Sequence, residues 1–530
     1  MVYFTVMSAL PVFRNRPVLA LGVLCLSAFV VNVDATIVNV ALPTLSRQLN
    51  ADTAELQWIV DAYTLVMAGL MLAVGSLSDR YGRRGWLVGG LAVFAVTSTV
   101  AALVDSANGL IAARAAMGTG AAVIFPATLA IITNIFTDPV HRAKAIGAWA
   151  ATVGVGVAVG PISGGWLLEH FAWDSIFLVN VPIALLAIIG GVLFVPTSKD
   201  PATHAVDVPG LVLSAVGITV LVYAIIEAPT DGWTSGRTLA EFFVAAAVLT
   251  TFAWWEHRQT HPMLDVSVFR NRRFAGGSLA VTAGFLTLFG FIFVITQYFQ
   301  FVKTYDAFET GVRLLPVAIS IALASVLGPQ LAETLGTTRV VAGGLAIFAA
   351  GLGWAATVSA HTTYLEIATQ MVLLGSGLGL TVAPATEAIM GSLSADKAAV
   401  GSAVNDTTRE LGGTLGVAIV GSIFASVYSS HLTQSSALEA VPDADRTAMR
   451  DSMAAAQQVI ARLPFPQAPT VHAAVETAFL DGLRIGSLVA AGIAAVAAAV
   501  VAVLLPARQA PTNAVNVSVP ESLTAGRAGQ

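Results

Sequence analysis

Gly75-Ser76-Leu77-Ser78-Asp79-Arg80-Tyr81-Gly82-Arg83-Arg84 falls between two long apolar stretches, Leu56 to Leu77 and Trp86 to Val104. Its charges interrupt a chain that is otherwise close to hydrocarbon in character, so it reads as a short basic loop joining two transmembrane helices. Gly75 and Gly82 supply the backbone freedom a tight turn needs. Asp79, near the end of one helix, can hold Arg80, Arg83 and Arg84 and so latch two helices together at the inner face. Such a latch has to open whenever the helices move apart. The arginines alone also satisfy the bias of basic residues toward the cytoplasmic side.

Working outward, 56% of the 530 residues are hydrophobic and 11% charged, against about 25% charged in a soluble domain. That composition describes a polytopic membrane protein. A net charge of -5 with no basic patch outside the loops argues against a nucleic-acid partner. The single cysteine, Cys25, leaves no internal disulfide and no cysteine-based metal site, and no metal or cofactor is expected. The first apolar run continues through Asp34 and Asn39 without a small-residue cleavage site, which predicts a retained helix instead of a signal peptide.

A bilayer needs about twenty mostly apolar residues per helix, and about fourteen such stretches follow one another from Val18 to Leu505. With the N-terminus inside, Arg14, Arg16, Arg142, Lys144, Lys199, Arg258, Arg270, Arg272, Arg273, Arg339, Lys397, Arg508, Arg527 and the Gly75–Arg84 cluster collect on the inner side. Arg47, Arg237 and Lys303 fall outside. This asymmetry predicts both termini in the cytoplasm. The one long outer connection, about 428–484, carries Met449, Met453, Ala456 and Ile460 at helical spacing, which predicts a short amphipathic helix on the outer surface. After Pro506 the tail is polar and expected to be disordered.

The opening stretch has a worn echo. Gly328, Leu331, Ala332, Glu333, Gly336 and Arg339 repeat the order of Gly75, Leu77, Ser78, Asp79, Gly82 and Arg83. Two six-helix bundles are therefore expected, 1–197 and 274–505, with two inserted transmembrane helices over 198–273 and a cytoplasmic tail over 506–530.

The form Gly-x-Leu-x-Asp-Arg-x-Gly-Arg-Arg resembles the loop between the second and third helices of the major facilitator superfamily. Leu110 to Gly120 resembles that superfamily's motif with a membrane-embedded arginine, here Arg114. Gly156, Gly160, Pro161, Gly164 and Gly165 match its motif for exporting antiporters. Asp34 to Pro43, Trp58 to Tyr63 and Arg409 to Gly413 together look like the fourteen-helix drug:proton antiporter family, over roughly Leu19 to Leu505. The resemblance implies an all-α major facilitator fold in a bacterial cytoplasmic membrane. It also implies proton-coupled multidrug efflux by alternating access, with an acid at both Asp34 and Asp61 as in the branch that exports lipophilic cations: dyes, quaternary ammonium antiseptics and some fluoroquinolones. Its partners would be lipophilic small molecules, protons and membrane lipids, and the chain would act as a monomer. Two departures stand out. Trp173-Asp174-Ser175 replaces an aromatic-Arg-aromatic string, and the tenth span lacks the acid that some dication exporters carry, so efficient divalent-cation export is not expected.

Charged side chains at a bilayer centre cost roughly 2.5 to 3.5 kcal/mol each on insertion scales, so those present invite a function. At about 1.5 Å rise per residue, Asp34, Asp61 and Arg114 lie about 12, 7 and 6 Å below the outer ends of their helices and could share one outer-half cluster. Asp34 is the expected proton carrier and Arg114 its modulator. Asp61 and Glu410 are expected to attract cationic substrate; for Asp61 a plain water-filled vestibule stays open as an alternative. Asp406, Arg409 and Glu410 can meet along one side of their helix, so an ion pair that merely holds that helix is open beside a substrate role for Glu410. Phe285 and Phe289 offer aromatic faces to a flat cation.

No lysine follows a glycine, which removes the phosphate-binding loop of an ATP-driven pump and leaves an ion gradient as the energy source. The chain has no Gly-x-Ser-x-Gly or His-Glu-x-x-His string, and His257 and His261 fall in an expected cytoplasmic loop, so a membrane enzyme is not expected. Export of a neutral self-made metabolite, antibiotic or lipid is the alternative function.

Overall fold

A computed structural model describes residues 16–198, 207–259, 266–393, 398–439 and 441–506. The side chain of Asp79 and the basic residues Arg14, Lys199, Lys397 and Arg508 lie outside the described residues, as do His261 and the tail.

All regular structure there is helical. In order, the α-helices are α1 Pro17–Leu49, α2 Thr53–Tyr81, α3 Arg83–Leu103, α4 Ala107–Ile135, α5 Pro139–His170, α6 Ser175–Leu178 and α7 Asn180–Phe194. Two more follow, α8 Val208–Asp231 and α9 Gly236–Arg258. The remainder are α10 Arg272–Phe301, α11 Ala307–Arg313, α12 Leu315–Leu335, α13 Thr337–Ala355, α14 Tyr364–Gly391, α15 Ala398–Gln434, α16 Asp443–Asp451, α17 Met453–Ile460 and α18 Gln467–Leu504. Thirteen helical segments among the described residues are long and apolar enough to cross a membrane. The second expected span corresponds to the 29-residue α2, some of whose side chains are outside the described set.

The stretch that opened the sequence is not a ten-residue loop. Helix α2 continues through Tyr81, α3 starts at Arg83, and the turn is the single residue Gly82, with φ +120°. The Gly82 N–H still donates to the Ser78 carbonyl, which carries the helical bonding pattern to the last possible residue. Gly75 is therefore helical and plays no part in the turn. Gly336 joins α12 to α13 in the same way, with φ +90°. An L side chain rarely adopts either backbone conformation, so the two copies of the repeat coincide at the residue where glycine is required. At the opposite end, Asp52 and Glu55 form a reciprocal capping box that starts α2.

Helices α1 to α7 pack on one another, and α10 to α15 pack with α18. Helix α8 packs on α9 and also on α2 and α15. Its Val222, Ile225 and Ile226 form one apolar cluster with Leu65 of α2 and Ala418 of α15. The first inserted helix thus covers the line along which α2 meets α15.

The long connection is shorter than expected, because α15 runs on to Gln434 and α18 begins at Gln467. Residues 435–466 hold a 3-10 turn, Ser436–Leu438, and two short α-helices broken at Ser452, whose hydroxyl caps α17 by accepting the Ala455 N–H. Met449, Met453, Ala456 and Val459 do not lie along a surface. They are buried in the main core, with Ile460 packed against it. The apolar side of the expected amphipathic helix faces protein here, since the ends of α1, α2, α10 and α15 all reach it.

Candidate functional site

Asp34 lies midway along α1, fully buried. Both of its carboxylate oxygens accept: Oδ2 from Arg114 Nη1 of α4 at 2.5 Å and Oδ1 from Asn180 Nδ2 of α7 at 2.7 Å. Arg114 is itself buried and donates its Nε to the Ile59 carbonyl of α2 at 3.1 Å. Its guanidinium lies 4.2 Å from the ring centroid of Tyr63, and the Tyr63 hydroxyl donates to the Val31 carbonyl. Asn180 also donates to Ser98 of α3. One carboxylate therefore connects α1, α4 and α7, and through Arg114 it reaches α2. Charge-assisted bonds of this kind are the strong members of their class. Of these partners, Asn180 and Tyr63 escape a reading based on charges. A lone Asn in an otherwise apolar 15-residue helix was the available signal.

Asp61 does not join that cluster. It is fully buried, and neither carboxylate oxygen has a hydrogen-bond partner. Gln57 and Thr64, four residues before it and three after, share its stripe on α2. Both reach α15: Gln57 Nε2 donates to the Val417 and Ala418 carbonyls at 2.9 and 3.1 Å, and Thr64 Oγ1 meets Thr414 Oγ1 at 2.8 Å. Asp61 thus sits unpartnered in the seam between α2 and α15, the seam that α8 covers.

On α15, Arg409 Nη2 donates to Glu410 Oε1 at 3.1 Å. Asp406 has no ion pair among the described residues. The Arg409 guanidinium lies 5.2 Å from the Phe125 ring centroid of α4 and 5.7 Å from that of Phe285 of α10. Phe289 stands beside Phe285, with ring centroids 6.1 Å apart. Three of the expected substrate residues, Glu410, Phe285 and Phe289, are therefore neighbours, and Phe125 joins them unforeseen.

The glycines of α5 are points of close approach. A Cβ at Gly156, Gly160 or Gly164 would meet α1 at Phe29, Asn32, Val33, Thr36 or Ile37, with the Gly160 position only 2.0 Å from Thr36 Oγ1. At Gly165 it would lie 2.4 Å from the Ala307 carbonyl of α11, and at Gly311 of α11 it would lie 2.3 Å from the Pro161 carbonyl. Helix α5 thus touches α1 along one side and α11 at its end.

A sequence model of the Major Facilitator Superfamily matches residues 24–417. The chain belongs to the Major Facilitator Superfamily. It is 36% identical over 489 residues to the multidrug efflux pump LfrA of Mycolicibacterium smegmatis, covering 92% of this chain and 96% of LfrA. It is 34% identical over 468 residues to the methyl viologen resistance protein SmvA of Salmonella typhimurium, covering 88% and 93%. In fold it is similar to a bacterial homolog of the human lysosomal transporter Spinster, with a TM-score of 0.64, 17% identity, and 94% and 99% of the two chains covered.

As a member of that superfamily the chain is a multi-pass cell-membrane transporter and not an enzyme. On the face that holds residues 435–466, α1 to α5 are tied to α10 to α17 by several bonds. Ser46 meets Ser452, Thr53 donates to the Asp451 carbonyl, and Gln300 donates to the Val40 carbonyl. The α5–α11 glycine contacts lie toward the same face.

Proposed function

We propose that this protein is a proton-coupled multidrug efflux antiporter, a secondary active transporter that expels lipophilic, mainly cationic compounds by alternating access between two six-helix bundles. The observation that carries this is the buried Asp34–Arg114 pair, completed by Asn180. An ion pair removed from water is costly to build and still more costly to break on one side only, so it suits a site whose occupancy by a proton must be felt elsewhere. Protonation of Asp34 removes the negative charge that faces Arg114 and so weakens the charge-assisted bond between them. Loss of the Arg114 contact frees α1 from α4, while Arg114 keeps the Ile59 carbonyl and the Tyr63 ring on α2. Protonation is thereby converted into relative movement of α1, α2 and α4.

The 435–466 face is taken as outer, in keeping with the basic residues of the opposite face, and both termini as cytoplasmic. The ties between the two sets of helices at the outer face support a state open toward the cytoplasm. Asp61, Glu410, Phe285 and Phe289 are assigned to cation binding, and Gly82 with Arg80, Arg83 and Arg84 to a conformational latch at the inner face. The efflux-pump relatives support the same reading. Exchange of an inward proton for an outward cation can draw on the pH gradient; the membrane potential adds about 2.3 kcal/mol per net charge per 100 mV when more than one proton enters per monovalent cation.

The test is ethidium movement in proteoliposomes under an imposed pH gradient, with proton flux followed in parallel. Opposed fluxes in the wild type, both lost in Asp34→Asn, are expected. Normal export by Asp34→Asn removes the proton-carrier assignment, and a folded wild type that moves no cation points to export of a neutral metabolite.

A further inference from the structure

The group around Arg409 has the composition of a cation site that is already filled. Two aromatic rings, Phe125 from α4 and Phe285 from α10, stand within about 6 Å of one guanidinium, the range in which a cation is attracted to a ring face. Glu410 supplies the countercharge at 3.1 Å. The rings come from the two different sets of helices, and Phe285 is about 20 Å by helical rise from the start of α10, near the middle of the molecule. A guanidinium is flat, delocalised and weakly hydrated, features it shares with an aromatic or quaternary ammonium cation.

We propose that Phe125, Phe285 and Glu410 form a subsite for flat, delocalised monocations, and that Arg409 is a tethered competitor which occupies it when no substrate is bound. A substrate cation enters by displacing the guanidinium. The displaced charge has a destination on its own helix: Asp406, three residues away and therefore on an adjoining surface of α15, has no ion pair among the described residues. Arg409 moves from Glu410 to Asp406 as substrate takes its place, so neither state leaves the arginine without a carboxylate. A neutral lipophilic compound gains nothing from Glu410 and does not have to dislodge Arg409. The device therefore sets which charges the site accepts. It rests on the cation-export reading given above.

The experiment is equilibrium binding to purified full-length protein of ethidium, as the monocation, and Nile red, as a neutral lipophilic dye. Arg409→Gln is expected to bind ethidium about tenfold tighter than wild type, the factor that corresponds to ~1.4 kcal/mol, because the competitor is gone and Glu410 is left unpaired. Asp406→Asn is expected to bind it several-fold more weakly, and Nile red affinity should not change in either variant. Should Arg409→Gln fail to fold, Phe125→Leu is expected to weaken ethidium binding while sparing Nile red. A folded Arg409→Gln that binds ethidium no tighter, or a Phe125→Leu that affects both dyes alike, overturns the competitor. If the wild type exports ethidium in that case, only this inference falls; if the wild type binds Nile red but no cation, the cation-export reading falls with it.

Discussion

Asp34 and Asp61 are equally buried and differently placed. The first has both oxygens bonded, to Arg114 and Asn180, among helices that pack closely together. The second has neither oxygen bonded and lies in the seam where α2 meets α15. Glycine lets the helices around Asp34 approach: a Cβ at Gly118 of α4 would stand 2.5 Å from the Tyr63 carbonyl of α2. The seam around Asp61 is held instead by the polar contacts of Gln57, Thr64 and Thr414 and by the cover of α8. An acid built into a packed network can transmit its protonation to several helices at once. An acid left without partners in a seam is available to whatever enters when the seam opens.

The largest expected effect separates the two acids by stability. Asp34→Ala strips the countercharge from a fully buried arginine, a class of change that costs about 3 to 5 kcal/mol, and should give a protein that melts far below wild type or does not accumulate. Asp61→Ala removes no hydrogen bond from the side chain, so its melting temperature in the same detergent should equal or exceed that of wild type. Comparable losses in both would mean that Asp61 has a partner in the working protein and would erase the contrast.

A smaller effect tests the tie between the two sets of helices. At Gly165 any side chain must push the Ala307 carbonyl away from the end of α5. Overpacking of this sort costs about 1 to 3 kcal/mol, and a difference of that size shifts a two-state population by a factor of roughly 5 to 150. Gly165→Leu should fold, since α5 ends near that point, but it should favour separation of α5 from α11. Spin labels at Glu169 and Glu309 should then report a longer distance and ethidium export should fall. An unchanged distance with normal export would show that this contact does not govern closure.

Much of this was open to inspection in the sequence, because apolar runs and glycine placements are local. The helices, the glycine of the break at Gly82 and its echo at Gly336 need only one or two helices to be explained, although the charges suggest a ten-residue loop where the structure has a single-residue turn. The family follows from the same strings. What escaped depends on which helix faces which. Asn180 looks like one more polar residue until α7 turns it toward Asp34. Phe125 lies in an apolar stretch and is distinguished only by Arg409, which sits 284 residues later in the chain and on another helix. Depth alone groups Asp61 with Asp34, and depth along a helix says nothing about rotation around it. The apolar side of residues 435–466 reads as a surface stripe because nothing local in the chain shows that four helix ends converge beneath it.

The smallest expected effect concerns that connection and the tie it makes. Asp451 ends α16, where its backbone carbonyl accepts from Thr53. Partial desolvation, with the Asp52 carboxylate as a lesser contributor, pushes the Asp451 carboxyl above the ordinary aspartate range, against the opposing pull of Arg450. A raised value means that docking favours the protonated form. The contribution is fully present below about pH 3.9, the ordinary aspartate value, and is lost as pH rises through the raised value. Because the side chain is largely exposed, solvent screening should keep the effect below about 1 kcal/mol. Amide exchange over 443–460, corrected for its intrinsic pH dependence, should therefore become slightly less protected between mildly acidic and neutral pH in the wild type. In Asp451→Asn that slope should vanish, with protection at neutral pH equal to or above wild type. A slope that survives the substitution would move the titrating group from Asp451 to another acid at the start of α2, with Glu55, whose carboxyl partial burial also raises, as the next carboxylate to replace.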